Sequence, residues 1–67
     1  MPVEKKLFEQ LIKERKIRKV KQKDMAKHLN ISPWTLNNYE RGRRRISLEF
    51  IEDYADYLGL ELKIMLK

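Results

Sequence analysis

Apolar residues recur at helical spacing through most of the chain. Leu7, Phe8, Leu11 and Ile12 make one inward stripe, predicting a first helix over about Val3 to Lys16, with Ile17 and Val20 anchoring the connection that follows. Met25 and Leu29 are four apart with Ala26 beside them, Ile31 follows a turn, and Leu36 and Tyr39 are three apart. These six residues can close a single seam between a second and a third helix. Leu48, Ile51, Tyr54, Ala55 and Leu58 predict a fourth helix. After Gly59 the period changes. Leu60, Leu62, Ile64 and Leu66 alternate with Glu61, Lys63, Met65 and Lys67, as in a half-buried strand. Leu58, Leu62, Met65 and Leu66 would also suit a short fifth helix; the strand is preferred because no capping residue follows Gly59 and the alternation is complete. The fold class is all-α, with four or five helices and a terminal strand.

Turn chemistry supports these boundaries. Ala26 is small where two helices crossing steeply must approach closely. Asn30 accepts left-handed backbone angles at modest cost, Ser32 supplies a capping oxygen for the third helix, and Pro33 suits its first position. Gly42 closes that helix, and Ser47 and Gly59 bound the fourth, with Glu49 favourable in its first turn.

With Leu36 and Tyr39 inward, Ser32 and Glu40 fall on the inner edges of the third helix, and Trp34, Asn37, Asn38 and Arg41 point away. That outer face carries no negative charge. Asn pairs with the N6 and N7 edge of adenine, Arg forks onto guanine or phosphate, and Trp adds a donor beside an apolar ring. The competing reading is a plain helical hairpin, with the Asn side chains merely solvating it and Trp34 tucked against the first helix or the following loop. The amide-rich face argues against that, because two adjacent Asn residues are poor helix formers.

Residues 22–42 resemble the helix-turn-helix of the Cro/C1 (XRE) family of phage and bacterial repressors, and the likeness runs from Phe8 to Leu58. The resemblance implies a lambda-repressor-like domain that puts its third helix into the DNA major groove. It implies base reading by Pro33, Trp34, Asn37 and Asn38, and a phosphate contact from Gln22 at the start of the second helix. It also implies an ion pair between Arg15 and Glu40. Glu40 is the only acid between Asp24 and Glu49 and lies close to where phosphate would run, so a partner is expected on electrostatic grounds as well. Lys19 and Asn30 stand where many members carry glycine, and Pro33 brings no polar side chain to the reading surface.

Residues 1–45 hold 14 Lys or Arg against 5 Asp or Glu, whereas residues 46–67 hold 2 against 5. The positive charge is gathered in two clusters that bracket the third helix: Lys16, Arg18, Lys19, Lys21 and Lys23 before it, and Arg41, Arg43, Arg44 and Arg45 after it. Lys21, Lys23, Arg41, Arg43, Arg44 and Arg45 are the expected phosphate clamps.

With 67 residues, no Cys and a single His, the chain is expected to form one small domain without a disulfide framework, a metal site, a cofactor or an enzymatic centre. His28 is expected at the surface. The longest apolar run is Ile64 to Leu66, too short to span a membrane, and the start lacks a secretory apolar region, so a cytoplasmic location is expected. The chain divides into a DNA-binding domain over 1–59 and a tail over 60–67. A lone strand lacks an internal partner, so Leu60, Leu62, Ile64 and Leu66 are expected to form a homodimer interface. The function expected is a dimeric repressor of double-stranded DNA. An antitoxin that holds a toxin and autoregulates its operon is the alternative, and an RNA- or protein-binding module is a third reading.

Overall fold

The computed structural model describes residues 3–60. Four helices follow in order: α1 (Val3–Ile17), α2 (Gln22–His28), α3 (Pro33–Glu40) and α4 (Leu48–Tyr57). α2 and α3 lie against each other, and α1 and α4 close over them. Their shared core contains Leu7, Phe8 and Leu11 of α1, Met25 and Ala26 of α2, Leu36 of α3, and Ile51, Tyr54 and Ala55 of α4 with Leu58. The anticipated seam forms as expected, with Leu29, Ile31 and Tyr39 packed at its edge.

Two inward assignments need correction. Ile17 is 70% exposed, because at about 100° per residue it falls well off the face of α1 that buries Leu7, Phe8, Leu11 and Arg15. Leu48 is 53% exposed, since α4 is rotated to bring Phe50 toward the core instead. Phe50 stacks on Tyr39 with ring centroids 4.2 Å apart and meets Phe8 edge-on at 5.6 Å.

All four helices end by the same device. The residues after the caps, Lys19 (φ 58°), Asn30 (φ 60°), Gly42 (φ 76°) and Gly59 (φ 71°), are left-handed. In each case the next amide turns back five residues: Val20 to Arg15, Ile31 to Ala26, Arg43 to Asn38 and Leu60 to Ala55, at 2.9 to 3.0 Å. These are Schellman motifs, which satisfy otherwise orphaned helix carbonyls. Lys19 and Asn30 thus adopt, with a Cβ, a conformation that glycine enters without strain. At the other ends, the Ser32 and Ser47 hydroxyl oxygens accept from the amides of Thr35 and Phe50, both at 3.1 Å, and Pro33 opens α3.

Of the expected terminal strand, all but Leu60 lies outside the described residues, including Leu62, Ile64 and Leu66. Leu60 packs against the edge of the core. Among the described residues helices are the only regular secondary structure.

Candidate nucleic-acid interface

Arg15 sits on the inward face of α1, one turn beyond Leu11, and is buried. Its guanidinium reaches α3, α4 and the turn after α1. Nε and Nη2 donate to Glu40 Oε2 and Oε1, both at 3.0 Å, and Nη1 donates to the Val20 carbonyl at 2.8 Å. The Tyr54 hydroxyl completes the cluster by donating to Glu40 Oε2 at 2.7 Å. Gln22 Nε2 donates to Glu40 Oε1 at 3.2 Å. The pair expected between Arg15 and Glu40 therefore forms, with the fork-to-fork geometry that makes an Arg–carboxylate contact strong. It ties α1 to the end of α3, while Tyr54 and Gln22 bring in α4 and α2.

The protonation states follow from this surrounding. Burial works against the Arg15 charge, but hydrogen bonding and attraction to Glu40, reinforced by Tyr54, outweigh it and raise the guanidinium pKa. Burial, and then the hydrogen bond and negative charge of Glu40, push the Tyr54 phenol well above its ordinary value against the opposing effect of Arg15. The one acid of α3 is thus paired inside the protein.

Sequence reasoning placed Tyr54 in the core but missed its hydroxyl. A signal was present: a buried Tyr, unlike Phe, needs a partner for its O–H.

The outward side of α3 carries Pro33, Trp34 and Arg41, all exposed, with Asn37 half-buried beside them. Trp34 is 70% exposed in the first turn, so it is not tucked against the first helix or the loop. Asn38 departs from expectation. It is 7% exposed, and its Oδ1 faces Arg43 Nη1 at 3.5 Å. The Schellman turn at the end of α3 folds Arg43 back toward Asn38. This is a local effect of the turn at Gly42, which a helical wheel of α3 alone does not contain.

Gln22 also differs from the simple expectation. Besides Glu40 it donates to Asn37 Oδ1 at 3.4 Å, so its amide links the end of α3 to the middle of that helix.

Lys21, Lys23, Arg41, Arg43, Arg44 and Arg45 are exposed around α3. The Arg44 guanidinium lies over the Tyr39 ring, 5.7 Å from its centroid, which orients it at the edge of the same surface. Arg18 has a different role from its neighbours in the basic cluster: Nη1 donates to the Leu58 carbonyl at 2.8 Å, tying the end of α1 to the end of α4. His28 is exposed, as expected, with its ring 4.6 Å from that of Tyr57.

Among the described residues no cluster of His, Cys, Asp and Glu could hold a metal ion. No helix there is long and apolar enough to cross a membrane. The surface thus offers hydrogen-bond donors, an exposed indole and cations around a short helix. This chemistry suits the edges and phosphates of a duplex.

Neither the curated proteins nor the solved structures contain a significant match to the chain. The family model described as Helix-turn-helix matches residues 11–64, which include the Arg15–Glu40 pair and all of α2, α3 and α4. The chain therefore belongs to the Cro/C1-type (XRE) helix-turn-helix family of DNA-binding transcription regulators.

Proposed function

We propose that this regulator is a dimeric repressor that lays α3 in the major groove of an inverted-repeat operator. The observation that carries the reading is the charge arrangement at α3. Its one acid, Glu40, is consumed by Arg15 and Tyr54, while Trp34 and Arg41 stand exposed between cationic flanks. Pro33, Trp34 and Asn37 form the base-reading surface, and Asn38 acts from beneath Arg43. Lys21, Lys23, Arg41, Arg43, Arg44 and Arg45 clamp phosphates on either side. Gln22 acts at the junction of the two helices, holding Asn37 and Glu40.

Residues 1–59 serve as the DNA-binding domain and 60–67 as the dimerisation tail, with Leu60, Leu62, Ile64 and Leu66 at the interface. A two-fold dimer presents its reading helices to successive major grooves, with half-site centres about 34 to 36 Å apart. Occupancy of the operator then blocks polymerase or a neighbouring protein.

The test is selection of bound duplexes from a random pool by the full chain at near-physiological salt. Enrichment of an inverted repeat with half-sites one helical turn apart is the expected result. Retention of DNA without an enriched sequence would overturn it, pointing to phosphate binding alone and to specificity supplied by a partner, such as the toxin of an antitoxin pair.

A further inference from the structure

The Glu40 carboxylate sets the direction of the hydrogen bonds that radiate from it. A carboxylate paired with Arg15 can only accept, so Gln22 must turn Nε2 toward it, as seen at 3.2 Å. The second hydrogen on the same nitrogen faces Asn37 Oδ1 at 3.4 Å. An N–H there demands an acceptor, which holds the Asn37 oxygen inward. The amide is planar, so Nδ2 then lies on the side away from Gln22.

We infer that the Arg15–Glu40 pair, acting through Gln22, fixes the polarity of Asn37 and makes it a donor-only reader of the base edge. A freely turning Asn offers adenine a donor for N7 and an acceptor for N6. With its oxygen turned inward to Gln22, Asn37 presents the hydrogens of Nδ2 outward. Guanine, which displays acceptors at both O6 and N7, is the purine it selects. Gln22 is a positioning residue for this choice: it sets base preference by orienting Asn37. The inference rests on the proposal that α3 reads duplex DNA.

The experiment is selection from a randomised duplex pool with the full-length wild type, Asn37→Ala and Gln22→Leu, each checked for helical circular dichroism. The position whose preference is flattened by Asn37→Ala identifies the base pair that Asn37 reads. The wild type is expected to favour guanine there over adenine by about tenfold or more. Gln22→Leu frees the Asn37 oxygen and is expected to reduce that ratio to about threefold or less, with other positions unchanged. Adenine preferred by the wild type, an unchanged ratio in folded Gln22→Leu, or no position flattened by Asn37→Ala would each overturn the relay. Because the first and third outcomes do not involve Gln22→Leu, they test the inference even if that variant fails to fold. An enriched operator carrying adenine at that position overturns the relay alone, whereas no enriched sequence overturns both it and the proposed function.

Discussion

The Tyr54 hydroxyl and Arg15 Nε converge on the same oxygen, Glu40 Oε2, at 2.7 and 3.0 Å, and Nε also lies 3.0 Å from the Tyr54 oxygen. The three side chains come from different helices and leave no buried side-chain N or O without a partner among the described residues. Tyr54→Phe keeps the ring and its edge-on packing against Phe8, 5.0 Å between centroids, but removes one donor from a charged acceptor. A loss of about 1.5 to 3 kcal/mol is expected, read as a lower urea midpoint with an unchanged slope. A midpoint equal to that of the wild type would show that the hydroxyl adds nothing to Glu40.

The same hydroxyl gives stability a dependence on alkaline pH. The Tyr54 phenol is raised by burial first and by Glu40 second, so the folded protein holds that proton more tightly than the unfolded chain does. This contribution is complete below the unfolded value of about 10 and declines as pH rises beyond it. The stability advantage of wild type over Tyr54→Phe should therefore be constant up to about pH 9.5 and narrow above pH 10. Urea titrations of both proteins across that range check it; a gap that widens would reverse the sign.

Breaking the ion pair from one side should be worse than replacing it whole. Arg15→Met leaves the Glu40 carboxylate buried beside Tyr54, and a cost of about 3 to 5 kcal/mol is expected, a large share of the stability of so small a domain. Replacing Arg15 and Glu40 together by Met should cost less than either single change. A double-mutant cycle in guanidinium measures the coupling, and strict additivity would show that the two side chains act independently.

Lys19 and Asn30 hold positive φ with a Cβ in place. Lys19→Gly removes left-handed strain of about 1 to 2 kcal/mol and gives back about 0.5 to 1 through the freer unfolded chain. A net gain of roughly 0.5 to 1 kcal/mol is expected, visible as a rise of a few degrees in melting temperature. Asn30→Gly should gain less, because Asn tolerates this region better than Lys does. A lower melting temperature for Lys19→Gly would mean that the Lys19 side chain stabilises the turn in its own right.

On DNA, exposed cations and the exposed indole should separate by their effect on sequence preference. Arg45→Ala should weaken binding to all duplexes alike and reduce the slope of affinity against salt by about 1 per protomer. Trp34→Ala should instead change the preferred base at one or two positions of each half-site while leaving the salt slope nearly intact. Affinities for a panel of duplexes at several salt concentrations check both, and matching uniform losses would remove the distinction between reader and clamp.

Much of the architecture was legible in local patterns. The spacing of Leu7, Phe8 and Leu11, the caps Ser32 and Ser47, Pro33 at the head of α3 and the glycines after α3 and α4 all act within one helix or turn, where neighbours in sequence are neighbours in space. The family resemblance named Arg15 as the partner of Glu40, and the absence of acids other than Glu40 from the third helix was countable. Tertiary structure alone decided how those faces meet. It turned α4 toward Phe50 instead of Leu48 and brought the Tyr54 hydroxyl to Glu40. It also passed a hydrogen-bond direction from Glu40 through Gln22 to Asn37. Periodicity reports which side of a helix is apolar, whereas a hydrogen bond between helices depends on their rotation and separation to within a fraction of an ångström, and those are fixed only when all four pack together.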